Sequence, residues 1–88
     1  MIACDAKGKQ LTSREFAAKL GKLRDQGQKS LVFLIGGADG HRPEVLKKAD
    51  FSLSFGTMTW PHRLFRVMLT EQLYRAEAIA EGSPYHRE

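Results

Sequence analysis

Little in this chain is built for metal or covalent chemistry. It has one cysteine, Cys4, so an intrachain disulfide is impossible and no cysteine cluster spells a zinc site. A lone thiol suits a reducing cytoplasm. His41, His62 and His86 lie far apart in the sequence. None forms a short ligand pair, so no metal is expected. No apolar run approaches the ~18 residues that span a bilayer, and no membrane partner is expected. Met1 is not followed by a basic segment and a long apolar stretch, which argues against a signal peptide. Internal repeats and low-complexity tracts are also missing. So are two nucleotide motifs. Gly36-Gly37-x-x-Gly40 does not fit G-x-G-x-x-G, and no Lys-Ser or Lys-Thr follows the glycines. That disfavours a dinucleotide dehydrogenase and a P-loop NTPase.

What remains is a small α/β pattern. Eighty-eight residues make one domain, residues 1–88, which buries only ~60–65% of its unfolded surface and leaves room for a partner subunit. With 42% hydrophobic and 27% charged residues the chain reads as globular rather than disordered. A net charge of +4 permits a polyanionic partner such as nucleic acid without requiring one.

Met1 to Cys4 reads as a short apolar strand, and Asp5 to Gln10, with Gly8, as a loop. Thr12-Ser13-Arg14-Glu15 is a capping box, with Leu11 and Phe16 at the spacing of a hydrophobic staple. Phe16, Leu20 and Leu23 then recur at helical spacing, and Gly27 is a natural stop. Ser30 to Ile35 is a continuous apolar run that predicts a strand buried on both faces. Pro43 can open a helix with Val45, Leu46 and Ala49 on one side. Asp50 to Phe55 alternates as a third strand. The longest helix is expected from His62 to about Glu81, with Phe65, Leu69, Leu73, Ala76 and Ala80 as its core stripe. The order β-α-β-α-β-α predicts a parallel sheet with flanking helices.

Ligands of open parallel sheets bind beyond the carboxyl ends of the strands. Gly36 to Arg42 and Gly56 to Pro61 occupy such positions. Double glycine after a buried strand admits close approach of a ligand to the backbone, where amides and carbonyls can read a purine edge. A tight turn needing positive φ is the alternative, and the glycines alone leave both open. On the long helix, Glu71 and Arg75 stand four apart in the favourable order. They make either a surface pair or an arrangement in which Glu71 orients Arg75 toward an anion. The ending Pro84-Tyr85-His86-Arg87-Glu88 is denser in hydrogen-bonding groups than a fraying terminus needs.

Together these residues resemble one family. Leu34-Ile35-Gly36-Gly37-x-x-Gly40, Ser52-Leu53-Ser54, Met58-Thr59-x-Pro61-His62, Glu71-Gln72-Leu73-Tyr74-Arg75-Ala76 and Pro84-Tyr85-His86-Arg87-Glu88 look like the C-terminal half of the RlmH family. Its members are SPOUT-class methyltransferases that act on N3 of a pseudouridine in large-subunit ribosomal RNA. The resemblance implies a SPOUT-like α/β knot, lacking the N-terminal part of the family domain, so that the chain looks truncated there. It also implies a homodimer acting on assembled ribosomes, with S-adenosyl-L-methionine as cofactor. Carried over, the cofactor would contact Cys4, Gly36, Gly37 and the stretch Gly56, Thr57, Met58, Thr59, Trp60 and Pro61. Tyr85, His86 and Arg87, with Glu71 and Arg75, would form the RNA-facing catalytic group. The glycine turns and the terminal Tyr-His-Arg are then expected to line one cavity, within a subunit or across a dimer. The alternative is a catalytically incompetent fragment that still binds cofactor or RNA.

Overall fold

The computed structural model describes residues 1–28, 30–36, 41–56, 58 and 60–85. Six elements follow one another: β1 (Ile2–Gln10), α1 (Ser13–Asp25), β2 (Phe33–Ile35), α2 (Pro43–Lys48), β3 (Phe51–Ser54) and α3 (His62–Ala80). The β-α-β-α-β-α order holds. The strands form a parallel, three-stranded sheet in the order β2-β1-β3, so the chain is α/β. Its internal contacts gather into two units. One is Met1–Gln10 with Ser30–His62; the other is Leu11–Lys29 with Arg63–Glu88.

In the first unit β1 is the central strand. Ile2 and Ala3 are completely buried on it. Ile2 stands opposite Phe33 and Phe51, and Cys4 opposite Ile35 and Leu53. The loop expected at Asp5 to Gln10 needs correcting. Pairing with β3 breaks after Cys4↔Leu53, but Lys9 returns to the same partner and Gln10 pairs with Ser54. Asp5 to Gly8 stand out of the ladder as a bulge, opened by Asp5 Oδ1 accepting from Lys7 N at 2.8 Å. Gly8 is there for space. A Cβ on it would lie 2.8 Å from the carbonyl carbon of Ser52 and 2.9 Å from its oxygen, closer than packed atoms approach.

Two further expectations change. The strand expected from Ser30 is shorter, and Phe33, Leu34 and Ile35 are half-buried rather than enclosed. An apolar run reports what a strand tolerates, not its place in the sheet, and β2 is an edge strand here with β1 on one side only. The apolar side of α2 is also thinner than expected. Val45 and Ala49 are half-buried and Leu46 is exposed, because a helix of six residues presents too little surface to seal one face.

In the second unit the capping box forms as expected. Glu15 N donates to Thr12 Oγ1 at 3.1 Å, and Thr12 N donates to Glu15 Oε1 at 2.8 Å. At the other end Gly27 takes φ +93°, and Gln28 N donates to Leu23 O at 3.3 Å, which closes the helix with an αL residue. Phe16, Leu20 and Leu23 of α1 are buried, as are Leu69, Ala76 and Ala78 of α3. Ser13 Oγ and Gln72 Oε1, 2.8 Å apart, tie the two helices. The stripe of α3 departs from expectation in its last turn. Ala80 is exposed and Ala78 is buried. Ala78 lies three, four and seven residues from Arg75, Tyr74 and Glu71. It therefore shares the side of the helix that Tyr85 touches when the chain turns back through Gly82, at φ +72°.

Candidate functional site

Around Cys4, where the β1 ladder with β3 breaks, and the end of β2, main-chain acceptors meet imidazoles. Cys4 is buried, and desolvation pushes its thiol pKa up to about 11. At neutral pH the sulfur is a protonated, inert thiol. The Cys4 carbonyl is the group that takes part. Nε2 of His41 lies 3.0 Å from Cys4 O and 3.0 Å from Leu34 O. Carbonyl oxygens only accept, so this nitrogen must carry the proton and share it between the two strands. The His41 backbone N–H reaches Asp5 Oδ2 at 3.4 Å.

A second imidazole ties the start of α3 to Gly36. Nε2 of His62, just after the Gly56–Pro61 stretch, donates to Gly36 O at 2.6 Å. The turn at Gly56 is pinned from below. Ser54 is buried, and its Oγ lies 3.1 Å from Ala6 O and 2.9 Å from Gly56 O while accepting from Gly56 N at 3.0 Å. Gly56 takes φ +112°, a conformation glycine adopts without strain. Beyond it, Met58 is 73% exposed and Trp60 36% exposed. The carbonyls of Cys4, Leu34 and Gly36 thus each give a lone pair to histidine, which narrows the reading that these oxygens stand open to a purine edge.

The second unit holds a side-chain cluster. Glu71 Oε1 accepts from Arg75 Nε at 3.0 Å, and Oε2 accepts from Arg75 Nη2 at 2.9 Å and from Tyr85 Oη at 2.8 Å. The guanidinium also lies 5.0 Å from the Tyr85 ring centroid. Tyr74 and Tyr85 meet edge to face at 4.8 Å. The hydrogen bond to Glu71 raises the pKa of Arg75, and the hydrogen bond to Glu71 raises that of Tyr85 as well. Tyr85 therefore stays a neutral donor. The i, i+4 pair is present, and the tyrosine adds a third donor that a simple surface pair lacks. Alongside, α3 has an open groove lined by Arg63, Arg66, Val67, Thr70 and Glu71. Thr70 Oγ1 donates to Arg66 O at 2.8 Å, so its proton is already committed.

Of the site residues expected from sequence, Cys4, Gly36 and Gly56 all lie in the first unit, where Cys4 O bonds to His41, Gly36 O to His62, and Gly56 to Ser54, which reaches Ala6 of β1. The structure brings Glu71, Arg75 and Tyr85 together in the second. Gly37, Thr57, Thr59, His86 and Arg87 lie outside the described residues. Ser54 carried the family resemblance but was not among the expected site residues, nor were His41 and His62. The carbonyl partners of the two histidines could not be read without the register. Among the described residues no group of three His, Cys, Asp or Glu could hold a metal ion.

Comparison with known proteins adds a second line of evidence. Residues 1–86 match the family described as "Predicted SPOUT methyltransferase". The chain is 58% identical over 88 residues to "Ribosomal RNA large subunit methyltransferase H" of Caulobacter sp. (strain K31), covering 100% of this chain and 57% of that protein. It is 58% identical over 87 residues to the protein of the same name from Ruegeria pomeroyi, covering 99% and 56%. With that of Mesorhizobium japonicum the identity is 56% over 87 residues, covering 99% and 54%. The chain thus spans little more than half the length of these curated relatives. A family match over nearly the whole chain, on a parallel α/β sheet, places it: the chain belongs to the SPOUT methyltransferase family.

Proposed function

We propose that this chain forms the cofactor loops and the RNA-facing helix of an S-adenosyl-L-methionine-dependent methyltransferase whose target is N3 of a pseudouridine in large-subunit ribosomal RNA. One observation carries the reading: the bond from His62 to Gly36 O ties the residue that follows the Gly56–Pro61 stretch to the glycine that follows β2, in a chain of this family. The local chemistry fits the cofactor. Met58 and Trp60 offer exposed apolar surface, and Gly56 presents a main chain with no side chain before it. Cys4, Gly36 and Gly56, with Gly37, Thr57, Met58, Thr59, Trp60 and Pro61, would hold it, largely through backbone atoms. When bound, S-adenosyl-L-methionine supplies a methyl carbon on a positively charged sulfur, open to in-line displacement.

The chain's own residues do the rest. N3 of the acceptor must lose a proton, which calls for a base near neutral pKa. Glu71 already accepts three hydrogen bonds from Arg75 and Tyr85. That makes it an anchor for those two side chains and leaves His86 as the preferred base. Arg75 and Arg87 hold phosphate or steady charge on the base's carbonyl oxygens. Tyr74 and Tyr85 offer ring faces for an unstacked base. A homodimer with a knotted cofactor site, as one domain, completes the reading.

The test is transfer of labelled methyl from S-adenosyl-L-methionine to assembled ribosomes that lack the modification. Incorporation at one pseudouridine, lost in His86→Ala and Arg87→Ala, is expected. Binding of the cofactor or RNA without any incorporation would leave a binding module and end the catalytic claim.

A further inference from the structure

The imidazoles beside β1 and β2 do something that neither family membership nor the reaction requires. His41 Nε2 is equidistant, at 3.0 Å, from Cys4 O, where the β1 ladder with β3 breaks, and from Leu34 O near the end of β2, while His62 Nε2 takes Gly36 O, just past β2, at 2.6 Å. A buried or half-buried carbonyl gains from an added donor, and each imidazole donates here through Nε2 because a carbonyl oxygen only accepts.

We propose that His41 is a positioning residue for the methyl donor. Its shared N–H clasps β1 at Cys4 to β2 at Leu34 and, with His62 on Gly36 O, holds in place the backbone at Cys4 and Gly36 that the cofactor contacts. This rests on the functional reading above. Among the described residues the His41 ring bonds to backbone carbonyls, so it acts through the backbone and not on the reacting atoms. Unlike His62, it joins two strands.

Substitutions of matched reach test this. The side-chain nitrogen of glutamine extends to about the place of Nε2, whereas that of asparagine stops near Nδ1. Two measurements on the full chain are paired: calorimetric titration with S-adenosyl-L-methionine, and amide hydrogen exchange without cofactor at Cys4, Asp5, Ile35 and Gly36. His41→Leu and His41→Asn are expected to weaken cofactor binding by about tenfold and to speed exchange at those amides. His41→Gln is expected to restore both to within about threefold of wild type. Wild-type affinity in His41→Leu would overturn the proposal while leaving the function standing. Equal loss in His41→Gln and His41→Leu would overturn it too, since a donor at that point would not be what matters. A wild-type chain with no affinity for the cofactor would overturn both readings.

Discussion

Around Cys4 of β1 and the end of β2 the polar partners are main-chain carbonyls gripped by imidazoles; on α3 they are side chains gripping one another. The first arrangement uses atoms that every residue possesses. Its identity therefore resides in backbone shape, in a glycine at φ +112°, a buried serine, and two histidines whose reach matters more than their charge. The second uses a carboxylate, a guanidinium and a phenol, none of which has a substitute of the same geometry. A region of the first kind should tolerate many side-chain changes and fail on a few steric ones. A region of the second kind should fail by degrees as each hydrogen bond is removed.

The sharpest attempt to break that contrast is Glu71→Gln. It removes the charge that holds both Arg75 and Tyr85. Methyl transfer to assembled ribosomes is expected to fall by about 100-fold, with cofactor affinity unchanged; an equal loss of cofactor binding would erase the distinction between the regions. Next is Gly8→Ala. A Cβ placed 2.8 Å from the Ser52 carbonyl carbon forces the β1 bulge away from β3. The expected cost is about 2 kcal/mol, read as a melting midpoint lower by about 10 °C. An unchanged midpoint would mean that the bulge has room. Arg75→Lys keeps the charge but loses the fork. It should lower methyl transfer by about tenfold, and full activity would show that Arg75 acts only as a point charge.

Two titrations probe smaller effects. Tyr85 has a raised pKa because its hydroxyl donates to Glu71. The protonated phenol is the form the fold favours. Its contribution is complete below the unfolded value of about 10 and is lost as pH rises through the folded value. Absorbance titration should place Tyr85 above an ordinary tyrosine, and Glu71→Gln should bring it back; a normal value in wild type would contradict the cluster. Cys4, with its pKa pushed up to about 11 by burial, should react slowly with a thiol reagent at pH 8 and speed up on unfolding. Rapid reaction in the folded chain would show that β1 is open.

Local signals carried much of the fold. The capping box at Thr12, the stop at Gly27 and the helical spacing of Phe16, Leu20 and Leu23 are decided by neighbouring residues, and all appear where the pattern places them. What depends on pairing was not legible. The return of Lys9 to Leu53 and the half-burial of β2 follow from strand order and register, on which the apolar run at Ser30 to Ile35 is silent. The candidate site divides in the same way. Glu71 and Arg75 were visible because helical spacing alone sets them side by side. The carbonyl partners of His41 and His62 were not, because they belong to segments that meet only in the folded sheet.

The central claim is that the strand-end loops hold the methyl donor. Backbone amide NMR of the labelled chain, titrated with S-adenosyl-L-methionine, tests it most directly. The account predicts saturable shifts at the amides of Cys4, Gly36 and Gly56 and at the Trp60 indole, with much smaller changes along α3. Saturating cofactor that leaves those resonances in place, or that moves only α3, would contradict it.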